Sequence, residues 1–494
     1  MKSLKYMSLV ALVAGLTACS QYEEPNPATP VTPQETVISS DGVKVEASQY
    51  VLPNEETGDL ADLDLDAYSK LGFDIPMATV DINHADFPAS YDLTMKMFLA
   101  DNEDFNNAVT VPCTINSANQ VVVTPADFQQ AYVDLFGRKH DTKEVWVRFA
   151  AYASDGQITN LRLGGSDVYF AESHFFLTSV DLGINIEDAY YLVGAFNGWS
   201  PDADQLIKLA HSDKDTADDP IFTYYVDYTT GDGNWKVIPE SAIDWAANTF
   251  DWGQAWGCEV DGSTEMEGAL IEGGNAAKLP SFGKWVIVIN MESAQYHYSE
   301  AYENIHVTGA GNDWTVANPP LLEPNAAYTW YEGLAFINGE FKFTIGNWDL
   351  IDWGTGDGDG VLAAKGGNIA GPSGADAGIY YVQMSPIFLQ YEVGTYKIDK
   401  LGAIGEFNSW GESANMTPND DYTIWTATGV NITAGQQFKI RANDDWAWSI
   451  GGNSTTDLIF KNADNPDPAN IVAPNSGTKI TLDLSKVPFS ITIE

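Results

Sequence analysis

From residue 187 onward, apolar and polar side chains alternate in short runs separated by Gly, Asn and Asp turns, and none of the runs keeps a helical period. Three of these runs place a cation between apolar neighbours: Trp235-Lys236-Val237, Phe341-Lys342-Phe343 and Phe438-Lys439-Ile440-Arg441. In a strand, this spacing turns Phe438 and Ile440 to one face and Lys439 and Arg441 to the other. One face is expected to make core and the other to stay free for binding. A short strand precedes each box, at Tyr190 to Val193, Ile305 to Thr308 and Ala403 to Ile404. A strand pair closes each: Trp285 to Asn290 with Tyr296 to Tyr298, Ile379 to Met384 with Phe388 to Val393, and Ile480 to Leu484 with Phe489 to Ile493.

The opening strand of each run leads into one motif, Gly, two residues, Asn, one residue, Trp. Its copies are Gly194-Ala195-Phe196-Asn197-Gly198-Trp199, Gly309-Ala310-Gly311-Asn312-Asp313-Trp314 and Gly405-Glu406-Phe407-Asn408-Ser409-Trp410. Each cation box then runs into a Trp-rich loop, Asp244 to Trp256, Trp348 to Trp353 or Asp444 to Trp448. A repeat of about 100 residues is the size of a domain and too long for a solenoid unit. The pattern predicts an all-β chain of tandem β-sandwich modules at residues 187–300, 301–398 and 399–494.

Residues 35–186 lack the Trp boxes and hold only Trp146 of the 15 Trp. Val43 to Ala47, Val145 to Phe149 and Val168 to Phe170 read as strands of a further sandwich, taken as a spacer. Pro125 to Phe136 reads as one helix capped by Thr124, with Pro125 where its missing N–H costs nothing.

Charge and the N-terminus narrow the function. The formal net charge of −45 repels phosphate backbones and anionic headgroups, so a neutral main ligand is expected, and nucleic acid, an acidic polysaccharide or a membrane surface is not. Lys2 and Lys5 precede an apolar run from Met7 to Leu16 that is too short to span a bilayer, followed by Leu16-Thr17-Ala18-Cys19. This resembles a bacterial lipoprotein signal over residues 1–18, with Cys19 as the lipidated residue and 19–34 as a flexible tether. Gln21-Tyr22-Glu23-Glu24 resembles the surface-export signal of Bacteroidetes lipoproteins. Cys113 and Cys258 fall in different predicted domains and are expected as free thiols.

Loop Trp beside Asp, as in Asn443-Asp444-Asp445-Trp446-Ala447-Trp448, is hard to bury with its polar neighbours. A sugar fits such a Trp, because its C–H face packs on the indole while its hydroxyls take hydrogen bonds from Lys, Arg and Asn. Trp199, Trp314 and Trp410 are read either as sugar platforms or as core Trp that each duplicated module needs. Trp235, Trp285, Trp330 and Trp425 lie in strand patterns and are assigned to core. Gly356-Asp357-Gly358-Asp359-Gly360 hints at a calcium loop, but with no further ligands to name a solvated turn is favoured, and no cofactor or metal is expected. No His-Glu-x-x-His, Gly-x-Ser-x-Gly or phosphate loop is present, which favours binding over catalysis.

The lipoprotein signal, the Trp-poor first unit and the three Trp modules together resemble the SusE/SusF family of Bacteroidetes outer-membrane starch-binding lipoproteins. The nearest likeness is Phe438-Lys439-Ile440-Arg441-Ala442-Asn443-Asp444-Asp445-Trp446. The resemblance implies an immunoglobulin-like first domain and non-catalytic modules that bind starch or a related α-glucan. It also implies display on the cell surface, anchored in the outer membrane by lipid beside SusC- and SusD-type neighbours. Two aromatics and a Lys or Arg are implied for each site: Trp410, Lys439 or Arg441, and Trp446 or Trp448 in the last module; Trp314, Lys342, and Trp348 or Trp353 in the middle one. In the first module Trp199 and Lys236 are joined by Trp245, Trp252 or Trp256. Another neutral polysaccharide, a surface glycoside hydrolase and a protein-binding adhesin are the alternatives. The signal reading predicts that Cys19→Ala releases the protein from the membrane fraction, whereas retention equal to wild type would rule out anchoring at Cys19.

Overall fold

The computed structural model describes residues 39–494 apart from 55–56, 88, 155–159, 317–319 and 464. The signal, Cys19 and the tether lie outside the described residues. The chain divides into two compact units, Met1–Ile184 and Asn185–Glu494. Cys113 and Cys258 are both free thiols.

In the first unit two sheets face each other. One runs in the order Val43–Ala47, Ile75–Ile82, Gln120–Val123, Thr114–Ile115; the other runs Asp62–Asp64, Phe170–Thr178, Thr142–Ser154, Asp92–Ala100, Val109–Val111. Strand alternation explains the layer between them: Val145, Val147, Phe149, Ala151 and Ala153 point inward from one strand and are all buried. Helix Pro125–Phe136 forms as predicted, with the Thr124 hydroxyl accepting from Asp127 N at 3.1 Å. A second helix, Leu65–Leu71, escapes the sequence pattern because it is under two turns long and buries only Leu65. Its ends are nonetheless well specified: Asp64 accepts from Asp66 N, and Gly72 closes it at φ 70°. The strand expected at Val168 begins only at Phe170.

The second unit repeats one plan three times. In the first copy Ile207–Lys208, Tyr190–Gly194, Asn234–Pro239, Trp256–Gly257 and Ile271–Glu272 form one sheet, while Ile221–Tyr228, Gly283–Asn290, Gln295–Glu300 and Glu267–Ala269 form the facing one. The last copy keeps the order of the first sheet, while its facing sheet runs Thr417–Pro418, Ile424–Ile432, Gly477–Asp483, Ser490–Ile493, with no counterpart of Glu267–Ala269. The middle copy differs in that Leu321–Pro324 pairs with both Ile305–Gly309 and Tyr331–Ile337, joining its two sheets into one eight-stranded path. Trp235, Trp285 and Trp425 are buried as strand alternation requires. Trp330 stays part-exposed beside Phe388, because it ends a turn instead of lying in a strand.

Packing continues where the pattern restarts. Leu334, Ile379 and Tyr381 of the middle copy share the core of Trp425, Phe438 and Phe489. Phe336 stacks on Tyr422 at 5.3 Å, and Tyr225 stacks on Tyr328 at 4.2 Å. At the junction between the last two copies Phe489 N donates to Glu323 at 3.0 Å. Burial raises the Glu323 carboxyl from 4.5 to about 7, and Glu332 and Asp457 push it the same way against the Phe489 hydrogen bond. The folded state therefore holds this proton more tightly than the unfolded chain. The stabilisation is fully present below about pH 4.5 and is lost as pH rises through about 7. Glu323→Gln is expected to flatten the fall in stability between pH 5 and 8 while keeping an acceptor for Phe489. Denaturant melts across that range check it, and an unchanged slope would remove Glu323 as the cause.

Candidate functional site

The Gly-x-x-Asn-x-Trp motif has a complete local explanation. The Asn side chain folds back so that its Oδ1 accepts from the Gly N–H, at 2.9 Å in Asn197, Asn312 and Asn408 alike. The Trp N–H then returns to the Gly carbonyl at 2.8 Å for Trp199, 2.9 Å for Trp314 and 2.8 Å for Trp410. Gly is needed because the neighbouring strand passes too close for a side chain. A Cβ would lie 2.3 Å from the Asn234 carbonyl oxygen at Gly194, 2.4 Å from that of Glu340 at Gly309, and 2.3 Å from that of Gln437 at Gly405. The closed turn drives its last two residues into the left-handed region, so Trp199, Trp314 and Trp410 sit at φ 56°, 57° and 55°. A bulky side chain there is strained.

Each strained Trp meets one partner from the Trp-rich loop. Trp199 lies 6.4 Å from Trp252, Trp314 lies 6.2 Å from Trp348 and Trp410 lies 6.3 Å from Trp446, with ring planes inclined by 32°, 42° and 39°. The loop Trp are exposed to nearly the same degree, 40% for Trp252, 37% for Trp348 and 42% for Trp446. Three tilted, solvent-facing indole pairs of one geometry are thus built on three copies of one turn.

The structure separates residues that the sequence left in competition. Trp353 and Trp448 do not join a pair, being only 3% and 5% exposed. Both are core: Trp353 packs against Tyr302, and Trp448 against Tyr381 and Phe460. They follow the loop and enter a strand, or lie at its start, where the inward position needs an apolar group. Trp245 is exposed but leans on Tyr191 at 5.5 Å, and Trp256 is part-buried in a strand. Trp252 therefore holds the paired position in the first copy, propped by Phe250 at 4.7 Å.

The cation face departs from expectation. Lys439 and Arg441 are buried, because the Trp446 loop and residues 466 and 467 close over their strand. Lys439 bonds Asp467 at 2.6 Å, and Arg441 donates to the Ser413 hydroxyl at 2.8 Å and the Gly411 carbonyl at 3.1 Å. The Arg441 guanidinium lies 5.1 Å from the Trp446 ring centre and so braces that indole. Lys439, Trp446, Ser449, Lys461, Asp467 and Asn470 line a depression of about 280 Å³. Asp467 is 91% exposed at its side chain, so its grip on Lys439 can be exchanged for a ligand oxygen.

Sequence reasoning missed a second cation. Lys365 and Lys461 occupy the same register position, each donating its backbone N–H across to the neighbouring strand, to Asp352 and Ser449. Their ammonium groups reach the carbonyls of the platform residues, Trp348 at 3.4 Å and Trp446 at 2.6 Å. In the middle copy Asp352 joins Lys342 at 2.5 Å and Lys365 at 2.8 Å. Burial pushes its carboxyl up, but the two lysine hydrogen bonds outweigh that and hold it below the usual range. The first copy has Ala255 and Gly273 at these positions, leaving Lys236 as its one cation. The recurring turns Gly273-Gly274-Asn275 and Gly366-Gly367-Asn368 were visible, but only the register aligns Lys365 and Lys461 with Gly273. Among the described residues no cluster of metal-ligating side chains is found, and Gly356–Gly360 forms a turn.

Comparison with known proteins gives one family. Residues 185–300 match the model described as SusF, first starch specific CBM, where CBM denotes a carbohydrate-binding module. Residues 185–300 are thus similar to the first starch-specific module of SusF proteins. The chain is 24% identical over 239 residues to Outer membrane protein SusF of Bacteroides thetaiotaomicron, covering 47% of this chain and 45% of that protein. The match thus spans less than half the length of this curated relative. The crystal structure of SusF from the same organism aligns over 92% of this chain and 99% of that chain at 18% identity, with a TM-score of 0.32. The resemblance to SusF proteins read from the repeated motifs is borne out by the family-model and sequence matches.

Strain at Trp410 makes a stability prediction. Trp410→Asn puts a residue that tolerates left-handed backbone at φ 55° and removes one indole face. Stability in denaturant is expected to hold or rise by about 1 kcal/mol. A fall of more than about 2 kcal/mol would mark Trp410 as packing and not platform.

Proposed function

We propose that the chain is a non-catalytic binder of starch or a related α-glucan, with one site at each Trp pair. The observation that carries this reading is the threefold recurrence of an exposed, tilted indole pair on a strained turn. Two faces inclined by 32° to 42° present a curved surface, which suits a polymer whose successive rings turn and not a flat ribbon. The starch-specific description of the matching family supports the ligand class. The name of the curated relative supports an outer-membrane location, and the lipoprotein-like N-terminus supports surface anchoring beside SusC- and SusD-type neighbours.

Carboxylate chemistry supports the non-catalytic part. Glycoside hydrolysis needs an acid whose proton is retained near neutral pH. Three carboxyls near the Trp pairs that bond lysines, Asp352, Asp444 and Asp467, are held below the ordinary value. Hydrogen bonds from Lys400 and Lys439 do this at Asp444 and Asp467, and those from Lys342 and Lys365 overcome burial at Asp352. They are poor proton donors to a leaving group.

The three copies differ in cation content, so they are expected to differ in affinity. Sites with Lys342 and Lys365, or Lys439, Arg441 and Lys461, offer more donors than the site with Lys236 alone. Calorimetry with maltoheptaose and with soluble starch tests the reading on wild type, Trp410→Ala and the triple change at Trp199, Trp314 and Trp410. Each lost stacking face costs about 1 to 3 kcal/mol, by analogy with bases on aromatics. The single variant should weaken polymer binding in part, since two sites remain to supply avidity, and the triple variant should lose it. A folded triple variant that binds starch as wild type does would overturn the site assignment, and release of reducing ends by wild type would overturn the non-catalytic reading.

A further inference from the structure

The outer face of the larger sheet in the first unit carries an arrangement that a spacer does not need. Arg148 lies with its guanidinium carbon 3.9 Å from the ring centre of Phe105 and 3.6 Å from that of Tyr169. Arg162 approaches the same Tyr169 ring at 4.5 Å, and Lys96 lies 5.3 Å from Tyr152. Strand register places these residues together: Phe98 opposes Arg148 and Arg162 opposes Tyr152, so the cations come from three adjacent strands.

No carboxylate pairs with any of the three among the described residues. Elsewhere in this unit the lysines do find acids, as Lys44 finds Glu46 at 2.5 Å and Lys143 finds Asp141 at 2.6 Å. The chain has 69 Asp and Glu against 24 Lys and Arg, so cations left without an acid run against composition. Among the described residues both arginine Nε atoms are buried without a hydrogen-bond partner; Arg162 donates to the Val168 carbonyl at 2.9 Å and hydrogen-bonds the Tyr169 hydroxyl, on which Asp167 acts through charge alone. Two guanidinium groups held around one ring repel each other and cost stability when nothing anionic lies between them. Stacking on Phe105 and Tyr169 fixes the Arg148 fork and leaves its N–H rim as the free part, the geometry that takes a planar carboxylate in two parallel bonds.

We propose that this face is a second saccharide site, specific for a carboxylate-bearing sugar ring, with Arg148 and Arg162 as its recognition residues and Lys96 beside them. A long polyanion or a broad acidic protein surface would meet the repulsion of a body of charge −45. A short run of uronate units brings its few charges directly to the cations, within the Debye length of about 8 Å where local charge outweighs the distant field. Part-exposed Trp146 and Tyr152 flank the cations on the same strand and offer apolar surface to ring C–H groups. The site takes from the function proposed above only that the chain binds glycans. It shares no residue with the Trp pairs.

The test is calorimetric titration of the full described chain with trigalacturonate at low ionic strength, with maltoheptaose run on the same samples. Wild type is expected to bind trigalacturonate, to lose at least fivefold affinity in 0.5 M salt, and to lose about tenfold in Arg148→Gln, a loss that Arg148→Lys does not restore. Maltoheptaose affinity should be unchanged in both variants, and the triple Trp variant should keep trigalacturonate while losing maltoheptaose. If circular dichroism shows Arg148→Gln unfolded, Arg162→Gln is read in its place with the same tenfold expectation. Absence of trigalacturonate binding by wild type overturns the proposal, as does equal binding by the folded variant. An acetylated Glu-rich peptide that binds with Arg148 dependence where trigalacturonate does not also overturns it, in favour of a protein partner.

Discussion

The hydrogen bond from each motif glycine N–H to the Asn side chain three residues on is the constraint on which the binding face depends. It closes the turn tightly enough that the Trp N–H reaches back to the same glycine. Closure has two costs. The glycine must lie against the next strand with no room for Cβ, and the Trp must accept a left-handed backbone that costs on the order of 1 to 3 kcal/mol. In return the indole projects at a set place and angle beside the cation strand, since the same glycines, Gly194, Gly309 and Gly405, pair directly with Trp235, Phe341 and Phe438. The binding groups are thereby referred to the sheet and not left to a loop.

Much of this was legible in the sequence because it is local. Strand alternation predicted Val145 to Phe149, the cap and Pro125 predicted the helix to Phe136, and the repeated motif predicted which turns are equivalent. What stayed hidden depends on tertiary closure. Whether Lys439 and Arg441 face solvent is decided by a loop folding over them, and no period in the strand encodes that. Trp446 and Trp448 are two residues apart and look alike in sequence, yet one is exposed beside Trp410 and the other packs against Tyr381 of the preceding copy. Lys365 and Lys461 become equivalent only through cross-strand register. Assigning the first unit a spacer role for want of Trp uses a criterion blind to arginine on Tyr and Phe.

The copies are not beads on a string. Stacking of Tyr225 on Tyr328 and of Phe336 on Tyr422, with Glu323 reaching Phe489, welds them into one unit. Fixed spacing changes how avidity arises. Flexible tethers let sites search for a ligand, with an effective concentration set by linker length. Packed sites instead offer one set of separations, so a polymer gains from a second site only when its own run of rings spans that separation. On the proposed function, this favours a long glucan over several short ones.

The proposed platform role of the motif Trp, weighed against a core role, draws support from what varies among the copies. Trp256, Trp353 and Ile450 occupy one register position, opposite Val237, Phe343 and Ile440. There an apolar requirement has been met by different side chains, as packing allows when volume is made up by neighbours. The second cation varies more widely still, from Gly273 to Lys365 and Lys461. At the end of the turn, by contrast, all three copies keep Trp, although Asn or Gly would relieve the backbone strain. A core role would permit the substitutions seen at the packed position, and a turn role would favour the smaller residue. Holding a strained, part-exposed indole opposite an exposed one in every copy is explained by neither, and it is what a stacking surface requires.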